Sequence, residues 1–448
     1  MRKLIRLNSL LICVILILSL IFGCTAQQTP QQKPATSTTS TVTKWEKVTL
    51  HAIHDVTGPY SATVLPSVNA GKDFTKWYNA KGGLDGVPVE VVWDDTRGEL
   101  AAAVTAYNKV RDEKPKPVMV GVYLSSYVDA LSQRFIEDRI PCNTTSVTQK
   151  AVWPPGWVYA IAGTYPDLTG TFIDWLSAEW EKSGQTRKCR IALFNPDYAA
   201  GRSSSTPEVI EYIKTKPNIE LVANEYFDYK ALDLSSDIMK VMQTNPDWLY
   251  GFYYATSGAA FYKSLDSAGY SKKVRVGNVL WGLQSENAKL VAPELIEGVT
   301  GAMHLPPFLP KGQKQVSPGM EFVEKLFEEN NNPQDYRGGS YVSSIQFWFW
   351  LTGIMEKALA TAGWEKFGSE ACYKAFESTR SMDLGGLMNW GIASGTRYNN
   401  KCQMYQFKNG IPMPITGTQT SPDLRPSEYR TAEYSWEGNG WPKDWFKK

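Results

Sequence analysis

From residue 48 onward, short β-rich apolar runs alternate with stretches that place apolar residues every three or four positions. Residues 48–53, 87–93, 118–122 and 140–143 read as strands, with helices over 98–111 and 127–138 between them. An earlier helix carries Val68, Gly71, Phe74 and Tyr78 on one face and stops at Gly82-Gly83, where glycine adopts a left-handed cap without strain. The rhythm restarts at 190–195 and continues through a helix at 206–214, a strand at 220–224, a helix at 234–243 and strands at 248–253 and 274–279. Strand–helix–strand at this spacing builds right-handed βαβ units, and those units build parallel sheets. The chain is therefore confined to an α/β fold.

Its length divides that fold. Behind the leader, about 400 residues exceed what one hydrophobic core serves, so two lobes are expected. The boundaries read as 45–163 plus 307–380 for the first lobe, and 164–306 plus 381–448 for the second lobe with a C-terminal tail. Pro306, Pro307 and Pro310 preclude regular helix and mark a crossing between lobes. Residues 343–362 form a strong helix with Trp348, Leu351, Met355, Ala358 and Leu359 on one side. Glu356 and Lys357 make it a buried helix rather than a membrane span. Short strands and turns follow from 385, and the stretch 422–448 reads as an extended tail over one lobe.

The leader addresses the compartment. Arg2, Lys3 and Arg6 precede an apolar run over 10–22, too short to span a bilayer and typical of a secretory signal. Ile21-Phe22-Gly23-Cys24 resembles the box read by a lipoprotein signal peptidase, which makes residues 1–23 a signal peptide and Cys24 the lipid-attachment site. Residues 24–44 are rich in Gln, Thr, Ser, Pro and Ala and bury too little to fold, as a tether should. An extracytoplasmic, lipid-anchored body is expected. A formal net charge of +2 gives no case for nucleic acid. Beyond Cys13 and Cys24 four cysteines remain: Cys142, Cys189, Cys372 and Cys402. In an oxidising compartment they permit three pairings, with Cys372–Cys402 the preferred bridge.

Several motifs occur in order. Thr57-Gly58-Pro59-Tyr60 turns into a helix that closes in Tyr78-Asn79-Ala80-Lys81-Gly82-Gly83-Leu84-Asp85-Gly86, and a strand ends in Asp94-Asp95. Gly121 to Ser126 has the form G-x-x-x-S-S, Ile140-Pro141 follows, and Asp197-Tyr198-Ala199-Ala200-Gly201 turns after the first strand of the second lobe. Over about residues 47–415 this order resembles the type I periplasmic binding proteins of branched-chain amino acid (leucine/isoleucine/valine) ABC transporters. The resemblance implies two Rossmann-like lobes with parallel sheets joined by three crossing strands, no catalytic residue and no cofactor. It also implies a monomer that works with permease and ATPase subunits and binds an amino acid or carboxylate solute between hinged lobes.

By that resemblance the solute contacts fall on loops at strand ends: Tyr123, Ser125 and Ser126 after one strand, and Thr144, Ser146 and Thr148 after the next. Tyr198, Tyr253, Tyr254 and Trp281 close over from the second lobe. Ser and Thr here are equally ordinary helix caps. The family's amino acid binders place an acidic residue in the loop that here reads Gly277-Asn278-Val279-Leu280-Trp281-Gly282-Leu283, with no carboxylate before Glu286. An α-amino acid then depends on Asp55 or Glu286, because an unpaired buried ammonium is costly. Without them an aromatic or aliphatic carboxylate facing Trp281 fits better.

Two other classes compete. An exported hydrolase lacks support: there is no G-x-S-x-G elbow, no H-E-x-x-H pair and no phosphate loop. The three histidines are His51, His54 and His304, and the first two point to opposite faces of one strand. Asp94-Asp95 suits capping of the following helix better than metal or acid–base work. A ligand receptor feeding a sensory system shares the fold and differs only in its partner, which genomic neighbours would reveal.

Overall fold

The computed structural model describes residues 44–145, 147–388, 390–392 and 396–429. Cys24, Ser146 and the tail beyond residue 429 lie outside them. The first sheet begins with β1 (Val48–His54), whose β-branched, alternating residues suit a pleated strand. After α1 (Ser61–Ala80) come β2 (Val89–Asp95), α2 (Leu100–Arg111), β3 (Val120–Val122), α3 (Ser125–Asp138), β4 (Cys142–Thr144), α4 (Gln149–Val152) and β5 (Val158–Ala160). All five strands are parallel, in the order β2-β1-β3-β4-β5.

The chain then crosses into the second lobe through α5 (Tyr165–Lys182). The Thr164 hydroxyl accepts from the Asp167 N–H and Pro166 sits in the first turn, both helix-start devices. Strand β5 and helix α5 are absent from the sequence reading. Then follow β6 (Cys189–Pro196), α6 (Ala199–Ser203), α7 (Pro207–Lys214), β7 (Ile219–Phe227), α8 (Ser235–Met242), β8 (Trp248–Gly251), α9 (Ala255–Ser267), β9 (Arg275–Asn278), α10 (Ser285–Ala288) and β10 (Thr300–Met303). The parallel order β7-β6-β8-β9-β10 repeats that of the first lobe. The chain returns through 304–310 to α11 (Pro318–Glu329), α12 (Gly339–Ala362) and α13 (Ser369–Glu377) in the first lobe. A third crossing near residue 400 leads to β11 (Lys401–Lys408) and β12 (Ile411–Pro414), which extend the second sheet antiparallel.

Two buried cores match this path. One collects residues from Val48 to Ile161 and from Phe308 to Tyr398; the other takes Ala162 to Leu305 and Cys402 to Leu424. Leu384, Leu387, Trp390 and Tyr398 thus pack with the first core, so the packing shifts the last crossing from the expected 380/381 to near 400. Helix α12 is buried along most of its length and exposed only towards its end. It lies so close to α1 that a Cβ on Gly71 would stand 3.0 Å from the Trp348 indole nitrogen, and the Ser344 hydroxyl donates to the Ser67 carbonyl at 2.9 Å. Among the described residues no helix is long and apolar enough to cross a membrane.

Two sequence expectations are corrected. Cys142, Cys189, Cys372 and Cys402 are all free, buried thiols. Cys372 lies in the first core and Cys402 in the second, which rules out the expected bridge. Asp94 and Asp95 do not cap α2. Asp94 pairs with His51 at 2.9 Å. Asp95 accepts from the Val56, Thr57 and Arg97 N–H groups and the Thr57 hydroxyl, fixing the loop after β1.

Candidate functional site

In a parallel sheet of this order, neighbouring crossovers on opposite faces open a crevice at the carboxyl ends of the central strands. Both lobes direct that edge to one cleft. Residues at or just beyond the carboxyl ends of β1, β2, β3 and β4 meet residues following β6, β8 and β9 around a cavity of about 80 Å³. Tyr123, Ser125, Tyr198, Tyr254 and Trp281 from the sequence reading line it; Thr145 rather than Thr144 does so after β4.

Four expected residues stand elsewhere. Ser126 is exposed on α3, and Thr144 ends β4 fully buried away from the cavity lining. Thr148 caps α4, accepting from the Ala151 N–H and donating to Asp129 at 2.5 Å, so its hydroxyl is engaged within the first lobe. Tyr253 stacks face to face on Phe261 at 3.6 Å inside the second core, because consecutive residues leaving β8 point to opposite sides.

The lining also holds groups that sequence reasoning missed. Tyr60 stacks on Tyr254 across the cleft at 5.8 Å. The Tyr254 hydroxyl donates to Thr63 Oγ1 at 2.6 Å, and Thr63 in turn donates to the Tyr60 carbonyl at 2.9 Å. Phe252 links Tyr165, Tyr198 and Tyr254 through ring contacts of 5.2–6.0 Å. Ser340, Ser344 and Trp348 arrive from α12. Position after a strand signals Phe252, and Trp93 stands near the carboxyl end of β2, whereas nothing local signals the α12 residues.

Electrostatically the cavity is neutral. Its lining contains no Asp, Glu, Lys or Arg. Burial holds the His54 imidazole down to about 3, so the ring is uncharged. Its Nδ1 accepts from the Asp55 N–H at 2.8 Å, which leaves Nε2 as the protonated nitrogen. Burial raises the hydroxyls of Tyr60, Tyr198 and Tyr254, so all three stay protonated. Three buried donors in the lining have no hydrogen-bond partner among the described residues: Trp93 Nε1, Trp281 Nε1 and the Tyr198 hydroxyl. An indole N–H can only donate, so the cavity favours acceptor atoms.

The two carboxylates nearest this question are engaged by backbone. Asp55 accepts from the Gly58 N–H at 2.6 Å and the Tyr60 N–H at 2.9 Å. Glu286 accepts from the N–H groups of Gly339 and Ser340 at 3.1 and 2.7 Å. Neither lines the cavity. Among the described residues no cluster of His, Cys, Asp and Glu has the arrangement of a metal site.

The model of a family described as periplasmic binding protein matches residues 47–410. The chain belongs to that family. Periplasmic binding proteins of known structure share the fold at low identity. A branched-chain amino acid ABC transporter protein from Thermus thermophilus with bound valine superposes with TM-score 0.72 at 17% identity, covering 86% of this chain and 99% of that one. A fatty acid ABC transporter substrate-binding protein from Thermomonospora curvata gives 0.69 at 16%, over 85% and 94%. A solute-binding protein from R. palustris in complex with 4-hydroxybenzoate gives 0.68 at 14%, over 84% and 98%. No curated protein sequence matches the chain. This periplasmic binding protein is thus of the type I architecture, with two parallel-sheet lobes.

Proposed function

We propose that the chain is the extracytoplasmic receptor of an ABC uptake transporter, closing two hinged lobes over one small solute and presenting it to permease and ATPase subunits. The observation that carries this reading is the cavity itself. It lies where the carboxyl edges of both sheets meet and has unpartnered donors from each lobe, Trp93 from one and Trp281 from the other. Solute burial between lobes supplies affinity, and the closed form differs in shape from the open one, so a permease can tell loaded from empty receptor.

The solute is uncharged or anionic and carries oxygen acceptors. An α-ammonium finds no carboxylate in the lining, and burying it unpaired is unfavourable. The cavity is also smaller than the roughly 150 Å³ that holds a benzene. A short carboxylate or amide therefore fits as the lobes stand, while an aromatic acid needs them further apart. Thermal-shift titration with leucine, short aliphatic acids and hydroxybenzoates tests the reading. Acids are expected to raise the melting temperature and leucine to leave it unchanged; strong stabilisation by leucine reverses the assignment. Trp281→Ala is expected to weaken binding of the stabilising acid by about tenfold, the worth of one buried hydrogen bond with its packing, without loss of fold. Unchanged affinity removes Trp281 from the site.

The lipid anchor belongs to the same reading. Gly23-Cys24 precedes a stretch suited to a tether, and a tethered receptor stays near its permease. Cys24→Ser is expected to move the protein from the membrane fraction to the soluble one on cell fractionation. Retention at the membrane refutes the anchor.

A further inference from the structure

Glu286 stands beside two cavity-lining residues, Gln284 and Ser340, yet its carboxylate is engaged across the boundary between lobes. It belongs to α10 of the second lobe and is 5% exposed. Its two oxygens take the N–H groups of Gly339 and Ser340, the first residues of α12 in the first lobe. Those N–H groups have no partner inside the helix, and a carboxylate there also meets the positive end of the helix dipole. A 24-residue helix thus has its start capped by a side chain from the other lobe.

The surroundings are shaped for this contact. A Cβ on Gly338 would stand 2.5 Å from the Glu286 carboxyl, so only glycine admits it. Gly338 itself is extended, with φ −176°. The Ser340 hydroxyl donates to Gln284 Oε1 at 3.3 Å, and Lys289 Nζ donates to the Asp335 carbonyl at 2.5 Å. Residues 284, 286 and 289 of the second lobe therefore all bond the stretch 335–340 of the first. Separating the lobes breaks these bonds together and returns a carboxylate and two helix-start N–H groups to water.

We propose that Glu286 is a closure latch: it sets the balance between open and closed cleft without touching solute. The proposal rests on reading the cleft as a hinged solute site, and it gives the acidic residue nearest the Trp281 loop a positioning role in place of an ammonium contact. Charge-assisted bonds to backbone N–H groups are the strong class, so their loss shifts a hinge equilibrium appreciably.

The test uses the full solute-free protein and two variants. In Glu286→Ala, hydrogen–deuterium exchange at Gly339 and Ser340 is expected to rise by roughly tenfold or more. The interior of α12 keeps its protection, and the radius of gyration from small-angle X-ray scattering increases. Gly338→Ala keeps the carboxylate but bars its approach, and extended backbone tolerates alanine; it is expected to reproduce both changes. If Glu286→Ala loses protection throughout α12, Gly338→Ala decides. Unchanged exchange and unchanged scattering in Gly338→Ala overturn the latch. Because these readings need no solute, a wild-type protein that no solute stabilises would overturn the receptor reading and leave the latch result standing.

Discussion

Arg397→Ala is expected to destabilise the protein by about 3–5 kcal/mol in urea unfolding, the range for stripping one partner from a buried ion pair. Arg397 is 2% exposed beside the third crossing, and its Nε lies 2.9 Å from Glu377. Its guanidinium also lies over the rings of Tyr159 and Tyr373, at 5.0 and 5.5 Å, and donates to the Tyr373 hydroxyl. The Arg397 carbonyl accepts from the Ala160 N–H at 2.9 Å, so this residue joins the end of the first sheet to the returning chain. Alanine takes the guanidinium away from the half-buried Glu377, which keeps its bond from the Tyr159 hydroxyl, and it also removes the planar group that the two tyrosines pack against. The exposed pair Arg187–Asp247 provides the contrast, since solvent screening holds such pairs to about 1 kcal/mol or less. Adding Glu377→Gln to Arg397→Met should recover much of the loss, because the charge that the guanidinium balanced goes with it. A loss below about 1 kcal/mol for Arg397→Ala would place it with surface pairs.

The second large effect is a pH dependence centred on Asp167. Its carboxylate lies in the first turn of α5, is 3% exposed, and accepts from the Leu424 N–H at 2.8 Å. Burial raises it from 3.8 to about 7, with the nearby Asp423 acting in the same direction. The folded chain therefore keeps this proton across a pH range in which the unfolded chain releases it. The stabilisation is complete below 3.8 and disappears as pH rises to about 7. Over that window it amounts to about 4 kcal/mol. Asp167→Asn retains an acceptor for Leu424 and cannot ionise. Relative to the wild type, the variant is expected to gain stability steadily as pH rises from 4 to 7, in parallel denaturant titrations. Superimposable pH profiles would show that Asp167 ionises in the folded state as freely as in the unfolded one.

Much of the architecture was legible because it is local. Period-two apolar runs such as β1 and three- and four-residue spacing such as α1 identify their elements within a short window, and their alternation dictates parallel sheets. The ends of the strands then point to the cleft, and the family resemblance singled out Tyr123, Ser125, Tyr198, Tyr254 and Trp281 on the loops there, all of which line the cavity. The misses follow from the same limit. Helix α5 escaped because its first half is buried all round, the polar Asp167, Thr169 and Thr171 included, so its buried positions form no apolar stripe to read. Thr148 and Thr145 are both small hydroxyl residues on one loop, and only the path of that loop decides which caps a helix and which faces the cavity.

By itself the sequence determined the fold class, the need for two lobes and the absence of a carboxylate in the Trp281 loop, since each depends on residue type and spacing. Tertiary structure alone decided what Glu286 and Asp55 do, where the last crossing falls and which donors lack partners. A carboxylate's role depends on which backbone N–H groups come within 3 Å of it. For Glu286 those groups belong to a helix start 53 and 54 positions further along the chain, beyond the reach of any local pattern.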